Sequence, residues 1–335
     1  MNKEQALDKL DLVISKSRVE MYKPIQVAEV LHAANRDLSI DLSDLETYRT
    51  RSKQLRDNVT KELFGKVSTS SAKFQDDIWA ETAVPPTAME VLGNLNSESG
   101  LVEEYIYQSV WAKNSFLIKI RESIHSINNI DDIRKLFEAF NSDGMRSSED
   151  RLFEIFCVAV LQSDATTSEA YVKVMESLNS NSESSVERII ENLLGKDKPL
   201  QFSRIGHTNA ADAGIDIWSN FGVIVSVKNY LLDGSLAKKV IEDTPVGELV
   251  IACDSYSEEG INEIKSNSQN RSITVVTKSD LMKDAERLLL NLKAAEEFLR
   301  VFLSNYDHEF PRTTTLEDFM NKRGYTITTP LRANI

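Results

Sequence analysis

One aspartate and one lysine, Asp216 and Lys228, flank a short apolar segment that reads GIDIWSNFGVIVSVKNY over residues 214–230. Segments 214–218 and 223–230 are rich in β-branched and aromatic residues, as strands tend to be. Asn220-Phe221-Gly222 suits a three-residue hairpin loop, with glycine in the left-handed position. That loop pairs Ser219 with Val223 and sets Asp216 opposite Ser226, about 5 Å away between Cβ atoms. Lys228 is two residues on and shares their face, while Ile215, Ile217, Val223, Val225 and Val227 make the other, apolar face. A carboxylate can hold a divalent cation, and an ammonium beside it can orient water or steady a developing negative charge. This is the chemistry of metal-assisted hydrolysis. The spacing fits an ordinary cross-strand ion pair on a solvated sheet equally well.

A third residue favours a site. Residues 153–161 read FEIFCVAVL, apolar on every side except at Glu154. A helix without a polar stripe is normally buried, and a lone buried carboxylate is costly unless a cation, metal or donor meets it. The bland alternative is an acid near a helix start, where the helix dipole favours it.

These residues lie in a chain that resembles the HaeII-type restriction endonucleases of the PD-(D/E)XK nuclease superfamily. The matching segments are YKPIQVAEVL (22–31), DLSDLETYR (41–49), STSSAKFQD (68–76), VEEYIY (102–107), the Glu154 segment, HTNAADAGIDIWSNFG (207–222) and VSVKN (225–229). They are collinear and span residues 22–229, about two-thirds of the chain. The resemblance implies an α/β fold with a PD-(D/E)XK core, a mixed sheet flanked by helices. It implies Mg²⁺-dependent hydrolysis of double-stranded DNA at a short, GC-rich palindrome, a homodimer, and a DNA methyltransferase as genetic partner. Asp216 then holds Mg²⁺ and Lys228 is the catalytic lysine. Glu154 is the helix glutamate, and the Val227 carbonyl is a further metal ligand. Ser226 stands where the superfamily carries an acid, a departure that bears directly on activity. A DNA-binding protein with a weakened site is therefore the runner-up, and a non-nuclease with a structural Asp216–Lys228 pair is a third option. Asp212 is a spare carboxylate or a turn residue, His207 a phosphate contact or a surface histidine. Glu187 and Glu191 are further candidates for the second carboxylate, with the look of surface residues.

The elements after the hairpin follow the α/β order: helix 235–243, strand 248–253, helix 258–267, strand 272–277. A long amphipathic helix is expected over 282–306, with Leu288, Leu289, Leu292, Ala295, Phe298, Leu299 and Phe302 on its apolar stripe. The chain divides by sequence into a mostly helical domain, 1–146, and a nuclease domain with C-terminal helices, 147–335. Residues 141–148 (NSDGMRSS) form the junction. Within the first domain, helices over 23–34, 41–48 and 52–64, the last capped by Ser52, make a helix-turn-helix-like element at 24–64. A basic run accompanies it: Arg49, Arg51, Lys53, Arg56, Lys61, Lys66 and Lys73 face only Asp57 and Glu62. Such a run neutralises phosphates, and its arginines can read guanine edges; a solvated helix face is the plain alternative. Residues 68–73 add hydroxyl and backbone donors.

The composition sets limits. The 335 residues allow two sizeable cores, and 41% hydrophobic with 27% charged residues is ordinary for a globular protein. A net charge of −13 disfavours indiscriminate nucleic-acid binding while allowing a local basic cleft. Two cysteines in apolar segments and four scattered histidines argue for reduced core thiols and against zinc. No signal-peptide stretch or membrane span is visible, so a cytoplasmic location with no membrane partner is expected.

Overall fold

The structure is a computed structural model. It describes residues 1–18, 20–68, 71, 75–97, 99–142, 145–167, 200–205, 215–220, 222–268, 271–332 and 335. His207, Asp212, Lys73, Glu187, Glu191 and the loop residue Phe221 lie outside them.

The chain forms two compact units. The first comprises Met1–Ser123, Glu138–Ser148 and Phe310–Ile335. Its helices include α1 (Lys3–Lys16), α2 (Tyr22–Ala34), α3 (Arg49–Phe64), α4 (Pro86–Asn96) and most of α5 (Leu101–His125). Asn2 and Gln5 cap the start of α1 reciprocally, and Pro86 opens α4, where its missing N–H costs nothing. Leu7, Leu10, Ile25, Val30, Leu92, Ile106 and Tyr107 meet in one apolar core. The C-terminal segment returns to this unit, which a single cut at residue 147 does not express. Arg323 binds Glu29 through two bonds of 2.9 and 3.0 Å, and Asn114 exchanges bonds of 2.9 Å with the backbone of Thr313. Such pairings join residues about 200 to 300 positions apart, so no local signal announces them.

The segment expected to be a middle helix, 41–48, makes only a 3₁₀ turn at Leu45–Thr47, capped by Asp44. Asp41 and Asp44 spend their side chains on local turns, the competition that keeps aspartate out of helix interiors. α3 therefore starts at Arg49, and Ser52 lies inside it, buried, accepting from Gln26.

The second unit comprises Ile124–Phe137 and Glu149–Glu309. A helix at Ile130–Ser142 (α6) leads to α7 (Arg146–Thr167). Residues 152–160 of α7 are all buried, as an apolar helix surface requires. The sheet has five strands in the order β1 (Phe202–Arg204), β2 (Ile217–Ser219), β3 (Ile224–Leu232), β4 (Glu248–Tyr256), β5 (Ser272–Thr277). The first two pairings are antiparallel and the last two parallel. The parallel ones need crossovers, supplied by α8 (Gly234–Asp243) and α9 (Glu258–Asn267). Val240, Ile241 and Ile264 from these helices pack with Leu249, Ile251 and Cys253 of β4. The result is a mixed α/β sheet flanked by helices.

The expected helix 282–306 is two helices, α10 (Lys278–Leu289) and α11 (Leu292–Glu309). Asn291 stops the first and caps the second, accepting from Ala294 N–H at 3.1 Å. The break throws Leu292 out to 79% exposure and turns Ala294 inward. A short helix, α12 (Leu316–Arg323), follows in the first unit.

Candidate active site

The hairpin register is the expected one: Ile217 pairs with Val225, Trp218 with Ile224, and Ser219 N–H reaches Val223 O at 2.9 Å. Gly222 takes the left-handed conformation, φ +82°, that the loop demands. Asp216 lies one residue before the regular part of β2. Its N–H donates to Val225 O at 3.1 Å. Its Oδ2 accepts from Val227 N–H at 2.7 Å and from Lys228 Nζ at 3.4 Å. The carboxylate thus stands in for a missing strand carbonyl at the edge of β3. Lys228 Nζ also donates to Val227 O at 3.1 Å. Among the described residues no hydrogen bond reaches Asp216 Oδ1.

Ser226 departs from the picture of a solvated face. It is fully buried, beside Ile251 of β4, and among the described residues its hydroxyl has no hydrogen-bond partner. Val225, Ser226 and Val227 of central β3 are all buried, on whichever face they lie, so alternation along this stretch does not separate core from solvent.

Glu154 is buried on α7, and its partners are arginines. Arg151 Nη1 donates to both carboxylate oxygens, at 2.7 and 2.8 Å. Arg204 of β1 donates to Oε2 at 3.1 Å and, through Nη2, to Glu309 Oε2 at 2.6 Å. Arg151 Nε lies 3.8 Å from Glu309 Oε1. Burial pushes the Glu154 carboxyl above its ordinary range; the arginines oppose the shift and nearby Asp216 adds to it. Of this network the sequence pointed to Glu154 alone. Arg151, three residues earlier on the same helix face, was a legible signal, whereas Arg204 and Glu309 are brought in from β1 and from the end of α11. Other contacts also anchor α7: Tyr230 Oη donates to Asp150 at 2.9 Å, and Lys278 Nζ meets Glu149 at 3.3 Å. The same ammonium lies 4.1 Å from the centre of the Phe137 ring.

The fit for a divalent metal rests on the donor set. Among the described residues no three metal-binding side chains converge. Mg²⁺ needs one or two carboxylates and otherwise keeps waters and substrate oxygens. Asp216, whose Oδ1 accepts no hydrogen bond from the described residues, meets that minimum, and Glu154 acts on it electrostatically. The cysteines are free buried thiols that burial keeps protonated, Cys253 pushed up to about 11.

The basic run is less bare than its composition suggests. Arg49 and Lys53 both pair with Asp76, at 3.1 and 2.9 Å, Arg51 with Asp37, and Lys66 with Glu20 at 2.9 Å. Arg56 is fully buried, bonded to Gln26, Asp57 and Gln75. Lys61 is exposed on α3.

Comparison with known proteins places the chain in a family. The family model for the HaeII restriction endonuclease matches residues 6–325. The type II restriction enzyme NgoBI of Neisseria gonorrhoeae is 34% identical over 98% of both chains. The type II restriction enzyme HaeII of Haemophilus aegyptius is 31% identical over 96% of both. No solved structure matches. The chain belongs to the HaeII restriction endonuclease family. Among the described residues no helix is long and apolar enough to cross a membrane.

Proposed function

We propose that this chain hydrolyses DNA phosphodiester bonds with Mg²⁺ at a short, GC-rich palindrome, acting as a homodimer with Asp216 and Lys228 at the scissile phosphate. As a member of its family it is a type II restriction endonuclease, a site-specific deoxyribonuclease, and such enzymes generally use divalent metal ions. The observation that carries the site assignment is the convergence of Asp216, Val227 and Lys228 at the edge of β3. The mixed sheet with α7 before it supports a PD-(D/E)XK core.

Asp216 would hold the metal through Oδ1, with Glu154 and the Val227 carbonyl as further ligands. Bound Mg²⁺ supplies Lewis acidity at the phosphate and lowers the pKa of water. Lys228, fixed by Asp216 and Val227 O, donates a hydrogen bond to the attacking water or to a phosphoryl oxygen as charge develops. Val227 N–H holds Asp216 in place throughout. Ser226 is sealed in the core and contributes no ligand in this arrangement. Two-fold DNA symmetry calls for a two-fold dimer, and a cognate methyltransferase would protect host sites. Exposed Lys61 supplies a cation for phosphates, and Arg49, Arg51 and Lys53 supply theirs by exchanging their carboxylate partners; Lys73, His207 and Asp212 remain candidates for DNA and site contacts.

A second reading, a sequence-specific DNA-binding protein with a weakened site, draws support from the buried Ser226 and the arginine-held Glu154. Unmethylated phage DNA incubated with Mg²⁺ or with EDTA, beside a Lys228→Ala control, separates the two. Discrete fragments that need both Mg²⁺ and Lys228 are expected. Intact DNA together with sequence-specific binding would establish the second reading.

A further inference from the structure

We propose that Arg151, Arg204 and Glu309 are positioning residues that keep Glu154 from the metal until DNA is bound. This deepens the site reading above and rests on Asp216 and Glu154 being the metal-facing carboxylates.

Both Glu154 oxygens already accept charge-assisted bonds, from Arg151 at 2.7 and 2.8 Å and from Arg204 at 3.1 Å. A divalent cation approaching alone must displace a guanidinium from a buried carboxylate. The displaced cation then stays in a low-dielectric setting, which is unfavourable. Free protein should therefore bind metal weakly.

The two arginines differ in their freedom to move. Arg204 is tied to a second acid, with Nη2 2.6 Å from Glu309 Oε2, and its side chain is 4% exposed. Arg151 is 12% exposed, and its Nε stands 3.8 Å from Glu309. Arg151, the more exposed of the two, is the partner placed to yield, while Arg204 and Glu309 stay in register.

A phosphate is the anion suited to receive it. The planar guanidinium fork fits carboxylate and phosphate alike. Asp216 acts electrostatically on both Arg151 and Glu154, so a phosphodiester brought to Asp216 adds negative charge to the field that Arg151 already feels. Transfer of the guanidinium from Glu154 to the phosphate opens a carboxylate oxygen toward the metal, and no buried charge is stranded. Linkage makes the effect reciprocal: metal then strengthens DNA binding by the factor by which DNA strengthens metal binding.

The test is Mn²⁺ binding by calorimetry to the full chain without DNA. Wild type is compared with Arg151→Met, Arg151→Lys and Arg151→Met/Glu154→Gln, each first shown folded by circular dichroism. Arg151→Met is expected to bind Mn²⁺ about tenfold tighter than wild type or better. Arg151→Lys, which keeps the charge but loses the planar guanidinium and its fixed donor geometry, should gain less. It keeps the test decisive if the methionine variant fails to fold. The double variant should lose the gain. Adding a duplex of the mapped site with an uncleavable linkage should tighten Mn²⁺ binding to wild type and much less to Arg151→Met. Wild type that cuts DNA while Arg151 variants bind Mn²⁺ as wild type does overturns the latch alone, as does a gain that survives Glu154→Gln. Wild type that neither binds Mn²⁺ with the duplex nor cuts overturns the site assignment as well.

Discussion

Arg204 is the side chain on which the site's architecture can be tested without activity. Its guanidinium bridges Glu154 and Glu309 at 3.1 and 2.6 Å and is 4% exposed. Arg204→Met keeps the length of the side chain and removes the charge. Breaking a buried pair by deleting one partner costs about 3–5 kcal/mol. Glu154 retains both bonds to Arg151, so the lower end, about 3 kcal/mol, is the expected loss. For a unit of this size that corresponds to a fall in Tm of about 6–12 °C. Differential scanning calorimetry reads it. Arg204→Met/Glu309→Gln provides the control. It removes the acid that lost its 2.6 Å bond, so the double variant should be more stable than the sum of the single changes by at least about 1 kcal/mol. An Arg204→Met protein within about half a kcal/mol of wild type, or strictly additive single effects, would refute the idea that this network is under electrostatic tension.

Other outcomes follow from the same geometry. Lys228→Ala should reduce cleavage by at least about 100-fold yet change stability by under about 1 kcal/mol, because its ion pair is 24% exposed on the lysine side; cleavage rates and urea denaturation check the two parts. Ser226→Ala should cleave normally and be at least as stable as wild type, since it removes a buried hydroxyl with no partner among the described residues. Loss of cutting in a folded Ser226→Ala protein would make that hydroxyl a functional group. Arg56→Met should cost about 3 kcal/mol, whereas Lys61→Ala should leave stability nearly unchanged and reduce the salt dependence of DNA binding. Burial pushes the Lys113 ammonium, which donates to Ser17 O at 2.7 Å, down to about 8. A folded pKa below the unfolded value means stability is present at high pH and lost as pH falls through 8. Wild type should therefore gain up to about 3 kcal/mol over Lys113→Met between pH 8 and 10.5, seen as diverging denaturation midpoints.

The sequence by itself determined the elements whose signals are local. The hairpin register follows from turn chemistry at Asn220 and Gly222, and from strands of β-branched residues either side. The helix–strand alternation after Leu232 follows from period and caps. Burial of residues 152–160 follows from the lack of any polar stripe. These are short-range consequences of side-chain type and backbone preference. Where two short-range signals competed, the weaker one lost: Asn291 capped a new helix and split an apolar stripe that otherwise ran on, and the aspartates of 41–44 made turns where a helix was expected. What only the tertiary structure decided are the pairings across long separations. Arg204 and Glu309 meet Glu154 from other elements, and Asp76 neutralises Arg49 and Lys53. Ser226 is sealed because β3 sits mid-sheet and is covered on both faces around it, with Val225 and Val227 buried on one side and Ser226 on the other. Sequence periodicity records which residues share a face. It does not record which element covers that face, or which charge comes to lie against another, because both depend on the packing of the whole unit.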